Sequence, residues 1–281
     1  MLANAWSIHK RTLGPRLAFL MALAAAPVLS GCAVSQQQEI EMGANYAGTV
    51  AKQMPLVKDP EALAYLTVLG DSLARLTERS DLEWHFAIVD AKEVNAFAVP
   101  GGYVYVNRGL IERAQTMAQV AGVVGHEIGH VLKRHSIKQM QKAQGANIGV
   151  TAICTLTRVC DNGASGLIDV AATGVFAKFS RNDESEADAE GVRLMVRAGI
   201  DPHGIPEMFR ILLDERKTAP DGLAEFFASH PMEEDRIVAS TALIATYPAA
   251  QLKGLTNDSP RFQAFKRRLQ SLPQSPPAKK K

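Results

Sequence analysis

His126-Glu127-Ile128-Gly129-His130 reads H-E-x-x-H inside a stretch with helical periodicity. Residues four apart on a helix lie one above the other on the same face. Two imidazoles so placed can chelate one Zn²⁺, and the acid between them can take a proton from water. The chemistry this implies is metal-assisted hydrolysis, with peptide hydrolysis foremost. The five-residue pattern is short, so its weight depends on context.

A hydrolytic zinc site takes three protein ligands and keeps a fourth position open. The third ligand must therefore come from elsewhere in the chain. A metzincin needs Gly and His at fixed steps after the second His; Lys133 and Ser136 stand there, which excludes that class. Helical spacing picks a candidate within Ser180–Asp188. Glu184, Asp188, Gly191 and Met195 fall on one face, with Ala187, Leu194 and Ala198 beside them. Glu186, Glu190, Arg193 and Arg197 fall on the opposite, charged face. A carboxylate on an apolar face is costly unless it is paired or binds metal. Glu184 is thus the expected third ligand. Asp188, one turn on, is expected to accept a hydrogen bond from a ligand His and fix its tautomer. A buried ion pair is the other reading of these two acids. His135, about 140° around the helix from His130, cannot join the chelate and reads as structural. His85 and His203 have no partner motif.

These residues need elements to hold them. The spacing predicts helices over 39–54 and 60–79, the second with Asp59 as N-cap and Pro60 at its first position. Glu83 to Asp90 reads as a strand. Val94–Val99 and Tyr103–Asn107 read as a hairpin around Val99-Pro100-Gly101-Gly102, a type II turn sequence. The H-E-x-x-H helix should start near Thr116, where Thr116 and Gln119 form a capping-box pattern, and stop at Gly145. Its apolar stripe is Val120, Val123, Val124, Ile128, Val131 and Leu132, so His126 and His130 face the interior. Residues 146–179 are small, apolar and Gly-rich: either a pair of short buried helices or a mobile cover over the site. Helices are expected at 182–198, 202–217 and 231–246. From Ser271 the sequence is rich in Pro and Lys and reads as disordered.

The N-terminus reads as a targeting segment. Lys10, Arg11 and Arg16 make a positive start, Leu17–Leu29 is a short apolar run, and a small-residue site follows. Leu29-Ser30-Gly31-Cys32 resembles the bacterial lipobox, in which the chain is cut before a Cys that then carries lipid. A plain secretory site is the alternative. A transmembrane anchor fits less well, because the run is short and holds Pro27. Ala33, rather than Asp, after Cys32 favours the outer membrane. Once Cys32 is set aside, Cys154 and Cys160 remain; a local disulfide or two buried thiols fit equally in an oxidising compartment.

Of the 281 residues, 47% are apolar and 21% charged, which suits a globular body. The formal charge of +2 comes from the N-terminus; without Lys10, Arg11 and Arg16 the chain holds 28 basic and 29 acidic residues. That near-neutral body, with no nucleic-acid motif, excludes a nucleic-acid partner.

The run from His126 to His130 with Arg134 and His135, then Ser180-Arg181 ahead of Glu184-Ser185-Glu186-Ala187-Asp188, resembles the zinc metallopeptidase family of the CAAX prenyl endopeptidases. The lipobox resembles its bacterial periplasmic lipoprotein branch. Asn95-Ala96-Phe97-Ala98 with Gly101-Gly102-Tyr103 resembles the family's hairpin, and His230-Pro231 with Arg236 resembles its segment after the second zinc helix. The likeness covers residues 40–245. One branch carries a C-terminal repeat domain, for which no room is expected here. The resemblance implies that His230 and Arg236 are catalytic, as oxyanion donors; the alternative for His230 is ligation of the metal in a resting state. A bland alternative makes His230 a neighbour of a helix cap and Arg236 an exposed residue.

The expected fold is α+β, mostly helical: a gluzincin-type metallopeptidase with a small β-sheet or hairpin before the HExxH helix. The expected organisation is a lipoprotein signal peptide over 1–31, a lipidated Cys and tether over 32–38, a metallopeptidase domain over 39–270 and a disordered tail over 271–281. The expected cofactor is one Zn²⁺ held by His126, His130 and Glu184, with Glu127 as general base. The expected function is a zinc endopeptidase, anchored by lipid to the outer membrane and facing the periplasm. Its partners would be protein or peptide substrates, misfolded or misassembled envelope proteins and unfolded outer-membrane proteins among them. The hairpin could offer them a strand edge. A chaperone or assembly factor with latent or rare proteolysis is the alternative. A structural lipoprotein with a chance motif is a third reading.

Overall fold

The computed structural model of the protein describes residues 34–142, 178–218, 223–231 and 234–275. Cys32 and the targeting segment, Gly145, Cys154 and Cys160, nearly all of 146–179 and the end of the tail lie outside the described residues.

The described chain is mostly helical with one small sheet. Helix α1 (Gln36–Gln53) starts three residues earlier than its periodicity predicts, because Ser35 and Gln38 form a capping box. Part of the stretch expected to be a tether is therefore helix. Helix α2 (Pro60–Ala74) is capped by Asp59, with Pro60 at its first position as expected, but it ends before 79. Strands β1 (His85–Val89), β2 (Ala96–Val99) and β3 (Tyr103–Asn107) make a sheet in the order β1-β3-β2. The hairpin is present, β2 pairing antiparallel with β3 so that Val99 faces Tyr103. Gly101 sits at φ 83, which only glycine adopts freely, at the turn position expected for it. Strand β1 pairs with β3 in parallel, His85 opposite Tyr103.

The strands alternate faces. Phe86, Ile88, Ala96, Ala98, Val104 and Val106 join the main core, while Val89, Phe97, Val99 and Tyr105 pack with Val50 and Tyr46 of α1. After the short α3 (Arg108–Arg113) comes α4 (Met117–Leu132), which carries H-E-x-x-H. Every residue of α4 from Ala118 to Val131 is buried, so it is the central helix rather than a one-sided stripe.

Both expected ends of α4 need correction. The Thr116 side chain makes no cap hydrogen bond, and Gln119 Oε1 accepts from Gln115 N instead. The cap comes from the far end of the chain: Asp258 Oδ1 accepts from Met117 N at 3.0 Å, and Asn257 O accepts from Ala118 N at 2.8 Å. At the other end the helix stops at Leu132, not near 145. Arg134 adopts φ 55, and helix resumes over 135–142.

Helix α5 (Arg181–Ala198) has Ser180 and Asp183 as a capping box and Gly199 as its left-handed stop. It crosses α4 at glycines, with little room for a side chain between the two backbones. A Cβ on Gly125 would lie 3.2 Å from Gly191 Cα, and one on Gly129 would lie 2.8 Å from Ala187 O. Then follow α6 (Gly204–Thr218), α7 (Ala224–Ser229), α8 (Glu234–Ala245), α9 (Ala249–Leu252) and α10 (Pro260–Ser271). Beyond Ser271 the chain stays docked to 275: Arg108 donates to Leu272 O, and Ser275 N donates to Asp90. Among the described residues, no helix is long and apolar enough to cross a membrane.

Candidate metal centre

Helix α4 presents His126 and His130 one turn apart, and α5 presents Glu184 and Asp188 one turn apart, across the glycine-lined crossing. The two Nε2 atoms converge to 2.9 Å. Glu184 Oε1 is 3.4 Å from His130 Nε2, and Glu184 Oε2 is 3.5 Å from His126 Nε2. His230, at the C-terminal end of α7, puts Nδ1 3.4 Å from His126 Nε2 and 3.1 Å from Glu184 Oε1. One ligand atom from each of His126, His130, Glu184 and His230 lies within 4.8 Å of the others, all four residues buried. Ligands about 2.0–2.1 Å from a tetrahedral zinc stand about 3.3 Å apart. These residues fit that ion.

The outer partners fit it too. His126 Nδ1 lies 2.8 Å from Asp188 Oδ1, so that nitrogen carries the proton and Nε2 is free to ligate. Glu127 is 1% exposed and its Oε1 has no hydrogen-bond partner among the described residues; His230 Nε2 stands 3.6 Å from it. An unpartnered buried carboxylate oxygen is costly without a cation or water to meet it.

Arg236, from α8, is the buried counter-charge. Its Nε and Nη2 donate to Asp188 at 2.9 and 2.6 Å, and Nη1 stands 2.5 Å from Glu184 Oε2 and 3.3 Å from Pro231 O. Its guanidinium also lies over the Phe209 ring, 4.5 Å from the centroid. His230 and Arg236 are therefore parts of the site, not a cap neighbour and an exposed residue.

Charge sets the protonation pattern. Burial pushes the Glu184 carboxyl up, but His230 and hydrogen bonds from His130 and His230 outweigh it and hold it well below the usual carboxylate range. Burial also raises Asp188, and Arg236 then His126 overcome that. His130 is driven well below the usual imidazole value, by burial first and by His126 second. Burial pulls His230 down as well, but Glu127 and Glu184 win and raise it.

The expected ligands and their partner Asp188 thus come together with His230 and Arg236. Two residues join them unannounced. Phe179 stacks on the His130 ring with centroids 4.0 Å apart. His135 reaches His130 because the helix breaks at Arg134, a break that periodicity does not reveal. His85 stacks on Tyr103 and His203 pairs with Asp201, as surface and strand residues.

The family model for Peptidase family M48 matches residues 60–244. The chain is 31% identical over 216 residues to the beta-barrel assembly-enhancing protease of Escherichia coli (strain K12), covering 74% of this chain and 44% of that one. It is 29% identical over 211 residues to the mitochondrial metalloendopeptidase OMA1 of Schizosaccharomyces pombe, covering 72% and 59%. It is 32% identical over 155 residues to the metalloprotease YcaL of Escherichia coli (strain K12), covering 54% and 59%. The chain spans about half the length of the beta-barrel assembly-enhancing relatives.

Proposed function

Because the chain belongs to Peptidase family M48 and is a metallopeptidase, we propose that it is a zinc endopeptidase of the bacterial envelope. In this reading it faces the periplasm from a lipid on Cys32 in the outer membrane. Its substrates are misfolded or misassembled envelope proteins. The observation that carries the catalytic part is the convergence of His126, His130 and Glu184 within ligand distance, with the buried Glu127 beside them, its Oε1 without a hydrogen bond among the described residues. The name of the beta-barrel assembly-enhancing relatives supports the envelope setting. The lipobox supports the anchor.

His126 and His130 would hold the zinc through Nε2, and Glu184 would hold it through its carboxylate. A zinc ion so held supplies Lewis-acid chemistry, acidifying water and polarising a carbonyl. Glu127 takes the proton of the attacking water and later passes it to the leaving amine. Asp188 keeps the His126 proton on Nδ1. His230 donates an N–H to the developing oxyanion. The three nitrogens of Arg236 already face Asp188, Glu184 and Pro231 O, so Arg236 serves the reaction by holding those carboxylates.

His230 also favours a second reading. Its Nδ1 stands at ligand distance from His126 Nε2 and Glu184 Oε1, so His230 could fill a fourth ligand position, which suits a client-binding assembly factor that cleaves rarely.

Bound zinc and casein cleavage, measured on wild type and Glu127→Gln, separate these. Zinc in both with cleavage lost in the variant, by about 10²–10⁴-fold, supports the endopeptidase. Client protection by both proteins without cleavage by either favours the assembly factor. Zinc absent from both removes both readings. Labelled palmitate that still enters Cys32→Ala would remove the anchor.

A further inference from the structure

His135 lies five residues past His130, and an unbroken helix would put it about 140° away around the axis. Instead its Nδ1 is 2.9 Å from His130 Nδ1, and its side chain is fully buried. Arg134 makes this approach. At φ 55 it occupies the left-handed region, which costs an L-residue about 1–2 kcal/mol. The strained residue is clamped from α1 and the chain just before it: Arg134 Nη2 donates to Val34 O at 2.7 Å, and Nε lies 2.8 Å from Glu39 Oε2. Strain held in place by distant contacts beside a functional group points to a use for the geometry.

Proton counting says what that use is. If His130 ligates through Nε2, its single proton sits on Nδ1. That N–H faces His135 Nδ1, which must then offer a lone pair. A neutral His135 in turn carries its proton on Nε2, which looks at Glu186 Oε2 at 3.4 Å and Asp183 Oδ1 at 3.6 Å. We propose that His135 is a positioning residue of the metal centre. It accepts the His130 N–H and passes the pull of the Asp183 and Glu186 carboxylates to that ligand. The two ligand histidines thus have different supports: His126 has the Asp188 carboxylate directly, and His130 has a carboxylate pair through an intervening imidazole. This rests on the metallopeptidase reading above, with His130 as a ligand.

The full-length protein tests it through zinc affinity, read by competition with a chelating indicator. Asn can place an amide oxygen where His135 has Nδ1, whereas Leu cannot. His135→Leu is expected to bind zinc about 10–100-fold more weakly than wild type, with His135→Asn recovering most of the loss. Equal affinity of His135→Leu and wild type would overturn the proposal, as would His135→Asn binding no better than His135→Leu. Should His135→Leu fail to fold, nitrogen NMR of the zinc-loaded wild type decides alone. A proton on His135 Nε2 and on His130 Nδ1 is expected; a proton on His135 Nδ1 overturns the assignment. Failure of wild type to bind zinc would instead sink the reading on which the proposal rests.

Discussion

Asp188 is the residue whose removal reads out the wiring of the centre most directly. It accepts from His126 Nδ1 at 2.8 Å and from Arg236 at 2.6 and 2.9 Å, with 6% of its surface exposed. Replacing it with Asn keeps an acceptor for His126 but removes the charge. A charge-assisted hydrogen bond is worth about twice a neutral one, a difference of about 1–1.5 kcal/mol. That corresponds to about a tenfold loss of zinc affinity for Asp188→Asn. Asp188→Ala removes the bond altogether and should approach a 100-fold loss, the upper end for ligand-orienting partners. The apoprotein responds separately. Breaking a buried pair costs about 3–5 kcal/mol, but Arg236 keeps Glu184 at 2.5 Å, so about half of that is expected. At about 2–4 °C per kcal/mol, the apo melting temperature falls by about 4–8 °C in either variant. Chelator competition gives the first quantity and thermal melting without zinc gives the second. Asp188→Ala with wild-type zinc affinity would refute the orienting role. An unchanged apo melting temperature would refute the ion-triad account.

Three other expectations follow from the same structure. Gly129→Ala puts a Cβ 2.8 Å from Ala187 O, so α5 must shift and carry Glu184 with it. A loss of about 1–3 kcal/mol in urea melts is expected, with weakened zinc binding, and a variant as stable as wild type would show the crossing to be looser than described. Asp258→Ala removes the distant cap of α4 and should cost about 1 kcal/mol; no change in melting temperature would mean that Asn257 O suffices. Asp59 is held at about 2, down from 3.8, first by Arg268 and then by the Ala62 amide. Because the folded value is the lower one, the unfolded chain takes up the proton first. Its stabilisation is complete above pH 3.8 and is lost as pH falls toward 2. The stability gap between wild type and Asp59→Asn should therefore close over that window, and a gap that persists down to pH 2 would contradict the assignment.

The sequence by itself determined whatever depends on spacing along one element. His126 and His130 at i and i+4, Glu184 and Asp188 at i and i+4 on the apolar side of a second helix, and the Pro100-Gly101 turn all follow from fixed periods of helix and strand. Burial then made the two acids informative, since a carboxylate on an apolar face needs a partner. Only the tertiary structure decided what depends on distant chain segments. The Thr116 capping pattern lost to Asp258, 141 residues beyond Met117, because the segment leading into α10 reaches the start of α4, where Asp258 and Asn257 O accept from its first amides. The helix expected to run to Gly145 broke at Arg134, because Glu39 and Val34 hold that residue in a conformation its own sequence does not favour. His135 then became a neighbour of His130. Arg236 entered the core for a similar reason: the buried charges that receive it sit on α5, and no period within α8 records them. Local pattern named the candidate ligands, and long-range contacts chose the residues around them.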